Sequence, residues 1–264
     1  MQAYIDTDQR LHWLCQIIAK ANRTYVPPVA DDSHTNLYFD SLGQRISGRW
    51  IDNGRQRIML TYNLANSRLE WVNSALQPLM NFTTTGRPAT DIEKEIAENL
   101  PSLNLNPAGF IEPLHFEITP YPFAGEPFKE LPEEGLQVWT TYRQLANEVA
   151  AAVLGHMQVA GEVRIWPHHF DTGIYFEIPD KPGIGFGLAM ADSLLAVPYF
   201  YLAGYAETAP DYNTVPALGS GEWLVQDNWQ GAVLPLDRLS HLSTTAQRQQ
   251  VANYALQALN WYLA

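Results

Sequence analysis

An α+β fold of two similar halves is the architecture this sequence predicts, and three observations carry it. Two long amphipathic stretches, residues 7–23 and 134–157, have helical periodicity, and each precedes a group of short strand-like runs instead of alternating with single strands. A third such stretch closes the chain from Thr244. One turn also recurs: Leu64-Ala-Asn-Ser-Arg-Leu69 is echoed by Met190-Ala-Asp-Ser-Leu-Leu195, 126 residues further on, which points to an internal duplication. The halves fall at residues 1–125 and 126–264, packed as two bodies or as one compact domain.

Each element follows from its local pattern. In the first helix Leu11, Leu14, Cys15, Ile18 and Ala21 share a face, Asp6 or Thr7 is the expected N-cap, and Val26-Pro-Pro28 ends it. Thr35 to Phe39 and Ile46 to Ile51 read as strands around a turn at Gly43. Ile58 to Leu64 and Leu69 to Val72 read as a hairpin through Ala65-Asn-Ser-Arg68. Residues 73–90 have no dominant period, Asp91 to Leu100 is a short helix, and Phe110 to Ile118 alternates as a strand that Pro113 confines to an edge. The Pro-rich residues 119–132 form a tether. After the long helix, Val163 to Glu177 reads as a strand. Ile184 to Ala191, Leu194 to Tyr205 and Gly221 to Leu236 are further sheet, with 206–220 as a rim loop. A capping box of Thr244 and Gln247 opens the last helix.

Composition excludes several function classes. With 28 acidic against 16 basic residues the net charge is −12, which opposes phosphate backbones and anionic lipid, so neither nucleic acid nor a membrane surface is an expected partner. No run approaches a membrane span, the N-terminus has no signal-peptide pattern, and Cys15 is the single cysteine, among apolar neighbours that imply a buried thiol. A cytoplasmic location is expected, and the oligomeric state is left open.

The densest chemistry lies in Trp166-Pro-His-His-Phe-Asp171. On a strand His169 and Asp171 would share one face, with His168 beside Trp166 on the other. Imidazole and carboxylate side chains are divalent-metal ligands, so His34, His115, His169 and Asp171 are metal candidates, with Glu112 and Glu117 as further donors, although no diagnostic spacing joins them and no cofactor is otherwise predicted. Ser193 and Ser220 are possible nucleophiles but lie in no Gly-x-Ser-x-Gly turn. The acid pairs Glu112 with Glu117 and Asp171 with Glu177 suit glycoside chemistry only at the right separation. Gly183-Ile-Gly-Phe-Gly187 lacks the context of a dinucleotide loop, and alternate glycines in a strand fit a tight bend or close packing against an aromatic ring. Tyr199 and Tyr201, with Trp223 and Trp229, offer faces for a planar or sugar-like ligand.

The order of these pieces resembles an uncharacterised bacterial family of α+β proteins. The resemblance rests on His34-Thr-Asn-Leu-Tyr-Phe39, the hairpin Leu60-Thr-Tyr-Asn-Leu-Ala-Asn-Ser-Arg-Leu-Glu-Trp71, His169-Phe-Asp-Thr172, Pro198-Tyr-Phe-Tyr201 and Gly231-Ala-Val-Leu-Pro-Leu-Asp237. The chain departs from the family pattern in having Trp-Pro-His-His where Trp-Gly-Ser is expected. The resemblance implies a fold and shared positions, and no reaction.

The sequence leaves three readings of function. The first is a small molecule bound in an aromatic and histidine-lined cleft, with His34, His168, His169, Asp171, Tyr199, Tyr201 and Trp229 as candidate contacts. The second is a metal-dependent hydrolase using His34 or His115 with His169 and Asp171. The third is a structural or partner-binding protein. Whether the chain is an enzyme is left open.

Overall fold

The computed structural model describes residues 1–208 and 210–264. Its helices and two antiparallel sheets make an α+β protein. The chain divides into two compact units, the first comprising Gln2–Thr140 with Ile165–Phe170 and the second Thr141–Arg164 with Asp171–Ala264.

In the first unit helix α1 runs over Gln2–Tyr25, starting before Asp6, so neither Asp6 nor Thr7 caps it. Tyr4, Leu11, Leu14, Cys15, Ile18 and Ala21 lie buried along it at spacings of three and four, and the cysteine is a core residue. Strands β1 (Tyr38–Asp40), β2 (Arg45–Ser47), β3 (Ile51–Asp52), β4 (Arg57–Asn63), β5 (Arg68–Asn73) and β6 (Pro78–Thr83) follow. They form an antiparallel meander in the order β1-β2-β4-β5-β6, with β3 also paired to β4. The strand expected over 46–51 divides at Gly48, because its backbone passes so close to α1 that a Cβ would lie 2.6 Å from Asn22 Oδ1 and 2.8 Å from Ile18 Cγ2. Asn22, fully buried, is also a clasp: its amide donates to the Thr35 and Asn36 carbonyls, and its Oδ1 accepts from Arg49 N at 2.8 Å.

Helix α2 spans Ala89–Asn99 and buries Ile92 and Ile96. The strand expected over Phe110–Ile118 does not form. The carbonyls of Gly109, Glu112 and Pro113 accept instead from the Arg23 guanidinium at 2.7–2.9 Å, which satisfies this backbone without a sheet partner. Helix α3, Glu133–Met157, begins in the first unit and continues from Thr141 in the second. After it come the short strand β7 (Arg164–Ile165) and, in the second unit, β8 (Thr172–Phe176), β9 (Gly183–Ala189), β10 (Tyr199–Tyr205), β11 (Glu222–Gln226) and β12 (Trp229–Pro235). The last five run antiparallel in the order β11-β12-β10-β9-β8.

Helix α4, Thr244–Leu263, packs on β10 and β12. Its Tyr254 hydroxyl donates to the Phe200 carbonyl, and Tyr262 fills the space over Gly204. Ser243 is the N-cap, and Gln247 donates to the Leu239 and Leu242 carbonyls, so the expected Thr244 capping box is replaced by a tie to the preceding turn.

The two units repeat one connectivity. A shift of 126 residues carries β4 onto β9 residue for residue, and the neighbour order β2-β4-β5-β6 recurs as β8-β9-β10-β12. Strand β3 is an addition to the first copy and β11 to the second. In this scheme β8 corresponds to β2, so Tyr175-Phe176 is no counterpart of Tyr38-Phe39 in β1. Among the described residues no helix is long and apolar enough to cross a membrane.

Candidate functional site

The Trp166–Phe170 segment is a turn, which corrects the expected strand and its pairing of His169 with Asp171 on one face. Pro167 has no N–H to give a ladder, and the chain folds back so that His169 N and Phe170 N both donate to the Trp166 carbonyl, at 3.3 and 2.6 Å. Phe170 adopts a positive φ of 54°, the left-handed conformation that ends such a turn. Helix α1 anchors it. His12 Nε2 lies 2.9 Å from the Pro167 carbonyl, and Gln16 Nε2 donates to the same oxygen at 2.8 Å. A carbonyl can only accept, so Nε2 carries the proton; in the neutral ring Nδ1 then accepts from the Tyr121 hydroxyl at 2.8 Å. Phe170 stacks on the His12 ring at 5.2 Å, which seals the inner side of the turn.

This anchoring leaves the two adjacent histidines outward. His168 is half-buried and His169 exposed, with ring centroids 4.3 Å apart. Phe116 packs against His168 at 5.5 Å, and the neighbouring His115 places Nε2 3.3 Å from Asp32 Oδ2. His34 sits in a short 3₁₀ turn at Ser33–Thr35 and is buried, its Nδ1 accepting from Val29 N. Burial, and then the neighbouring His169 and His115, push His168 down to about 4. Burial likewise lowers His34, against the pull of Asp32. These imidazoles are therefore neutral at pH 7. Among the described residues no three His, Cys, Asp or Glu side chains converge as metal ligands, so the predicted donors His34, His115, His169 and Asp171 do not form one centre, and Glu112 and Glu117 do not complete it.

Asp171 belongs to the second unit, where it immediately precedes β8. Its Oδ2 accepts from the Tyr201 hydroxyl at 2.5 Å, and the carboxylate is only 7% exposed. That contact depends on glycine. Gly173 in β8, Gly187 in β9 and Tyr201 in β10 lie in cross-strand register. A Cβ on Gly187 would sit 2.6 Å from the Thr172 carbonyl, 2.9 Å from Gly173 Cα and 3.0 Å from the Tyr201 hydroxyl. Two residues along, the Tyr205 ring comes within 2.9 Å of the Cβ position of Gly185, and Tyr175 lies over Gly183. The alternate glycines of β9 thus bear aromatic rings, as expected of that pattern, while Ile184, Phe186 and Leu188 on the other face are buried core.

Alternation places Tyr199, Tyr201, Tyr205 and, across β12, Trp229 on one face of this sheet. Trp229 lies over Gly231 at 2.8 Å from its Cβ position. Tyr199 is buried and donates to Asp192 Oδ2 at 2.8 Å. Tyr175 and Tyr205 are 40% and 51% exposed, with ring centroids 6.1 Å apart. Burial first, and nearby carboxylates second, raise the hydroxyl pKa values of Tyr175, Tyr199, Tyr201 and Tyr205, so all four are neutral donors. Trp223 belongs instead to a cluster with Tyr212, Trp261 and Tyr262, which ties β11 to α4. Arg143, fully buried on α3, donates to Thr172 Oγ1 at 2.7 Å. Ser193 lies in the β9–β10 connection and Ser220 just before β11.

The structure therefore brings His34, His115, His168 and His169 together in the first unit, and Asp171 with Tyr199 and Tyr201 in the second, with Trp229 on the same sheet face. Sequence reasoning missed His12 and Gln16, which a four-residue spacing on the buried side of α1 would have flagged. It also missed Tyr175 and Tyr205, which the match of alternate tyrosines to alternate glycines would have found. Comparison with protein families, with curated proteins and with solved structures finds no match to the chain.

Proposed function

We propose that this is a cytoplasmic protein that binds a small molecule on the tyrosine-bearing face of the second sheet, with Asp171 beneath Tyr201 as its polar floor. One observation carries the reading: glycine and alanine at Gly185, Gly187, Ala203 and Gly231 keep the sheet surface low, and aromatic rings rise around it. Tyr175 and Tyr205 remain about half exposed although their rings have a well-packed glycine bed beneath them. Aromatic faces with adjacent hydroxyls and a desolvated carboxylate are the usual furniture of a small-molecule site, in which apolar contact supplies affinity and a few polar groups fix orientation. The imidazole cluster of the first unit is left outside this site.

A thermal-shift screen of small planar and sugar-like compounds, run in parallel on the native protein and on Tyr205→Ala, tests the proposal. The expected result is at least one compound that raises the melting temperature of the native protein and not that of the variant. Hits that stabilise both equally would place the binding elsewhere and overturn it.

A further inference from the structure

The two sheets close their edges differently. In the first, Leu37, just before β1, exchanges backbone bonds with Ile165 at 2.9 and 2.7 Å, while β6 at the far edge begins at Pro78 and shifts register against β5 between Trp71 and Val72. A covering strand, a proline and a bulge each blunt an edge against pairing with another chain. In the second sheet β11 ends the strand order, and over Glu222–Gln226 it has neither proline nor bulge. The two-residue turn Asp227-Asn228 fixes its register to β12, with Gln226 opposite Trp229. Such a turn is closed by a hydrogen-bonded pair, so Gln226, Leu224 and Glu222 bond inward, and the N–H and C=O groups of Trp223 and Val225 point off the sheet. Among the described residues these outward groups have no backbone partner, and Val225 is 50% exposed.

The edge is also complementary to itself. Turned about a two-fold axis at Leu224, a second β11 runs antiparallel to the first, and the outward groups of Trp223 and Val225 meet those of the second copy's Val225 and Trp223. The indole then covers the exposed valine, a favourable aromatic and β-branched cross-strand pair. Leu224 faces its own equivalent at a non-hydrogen-bonded position, where side chains approach closest. Glu222 lies opposite the second copy's Gln226, an amide able to donate to it, and Glu222 already has Arg238 at 2.5 Å, so no like charges oppose each other within the paired strands.

We propose that β11 is a self-association edge, through which two copies of this chain pair antiparallel about Leu224 and join their second sheets into one. An unrelated extended peptide could satisfy the same backbone groups, but the side-chain matches on both faces favour a second copy. The axis stands perpendicular to the sheet, so the tyrosine-bearing faces of the two copies lie on the same side. This pairing is independent of the ligand reading above.

The test uses the full chain in sedimentation-velocity runs over a range of protein concentrations. An edge this short predicts a reversible dimer with a Kd on the order of 10 μM. Val225→Pro removes an outward N–H that β12 does not use, so the far-UV circular dichroism should stay native while dimerisation weakens roughly tenfold or more. Leu224→Lys and Leu224→Glu each set like charges across the axis and should be monomeric alone, whereas an equimolar mixture of the two should dimerise again. Should Val225→Pro lose the native spectrum, that mixture decides alone. A native protein that stays monomeric up to about 500 μM, a folded Val225→Pro protein that dimerises as the native one does, or a mixture that stays monomeric would each overturn the proposal.

Discussion

The Trp166–Phe170 turn and the three-strand ladder Gly173–Gly187–Tyr201 both gather side chains suited to chemistry, and they hold them in opposite ways. The turn is fixed from below: His12, Gln16 and the stacked Phe170 pin its backbone, while His168 is held only by ring contacts with Phe116 and His169, and His169 is exposed. The ladder fixes the functional atoms themselves, since the Tyr201 hydroxyl is bonded to Asp171 and its ring lies beside a strand whose glycines admit nothing larger. Preorganised polar atoms are what a binding site requires, and a well-anchored backbone is what a structural turn requires. The difference argues that the more conspicuous sequence motif is the less functional of the two.

The sharpest break in that comparison comes from filling the glycine bed. Gly187→Val would press methyl groups on the backbone of β8 and should destabilise the protein by roughly 3 kcal/mol in denaturant unfolding, whereas His169→Ala should change stability by less than about 0.5 kcal/mol. A tolerated Gly187→Val would show that the β8–β9–β10 ladder is not closely packed at this glycine. Next in size is His12→Ala. It empties a stacked position and leaves the Tyr121 hydroxyl without its acceptor, a loss of roughly 2–3 kcal/mol together with broadened His168 and His169 ring resonances.

Acid comes third. The folded-state pKa of His168 lies below its ordinary value, at about 4, so the unfolded chain takes up the proton first. The stability associated with the neutral ring is full above pH 6.5 and is lost as pH falls from about 6.5 towards about 4. Between pH 7 and pH 5 the loss from this residue should be roughly 1–2 kcal/mol, allowing for screening of a half-buried ring. His168→Gln should flatten that limb of the stability profile, and an unchanged limb would show that the ring does not titrate as placed. Tyr201→Phe should cost about 1 kcal/mol in denaturant unfolding for the lost hydroxyl donor to Asp171, still more than His169→Ala.

Much of the fold was legible because its signals are local. The apolar stripe of α1, the Ala65–Arg68 turn and the Val251–Tyr262 stripe of α4 specify their own conformations. The failures lay where a distant group decides the backbone. Pro113 and the alternation around it read as an edge strand until Arg23, remote in sequence, captured the carbonyls of Gly109, Glu112 and Pro113. The Trp166–Phe170 turn read as a strand because its anchor, His12, lies on another element. Strand β6 begins at a proline and alternates poorly, so only its pairing with β5 identifies it. Of the candidate site, Tyr201 and the glycine alternation were both visible, but their union required the cross-strand register.

The proposed function places binding on the tyrosine face of the second sheet and not at the histidine turn. Amide and ring resonance mapping with a hit from the thermal-shift screen tests it most directly. Perturbations are expected at Tyr175, Gly183–Gly187 and Tyr201–Tyr205 with His115, His168 and His169 unmoved. Shifts concentrated on those histidines, with the β8–β10 strands silent, would contradict it.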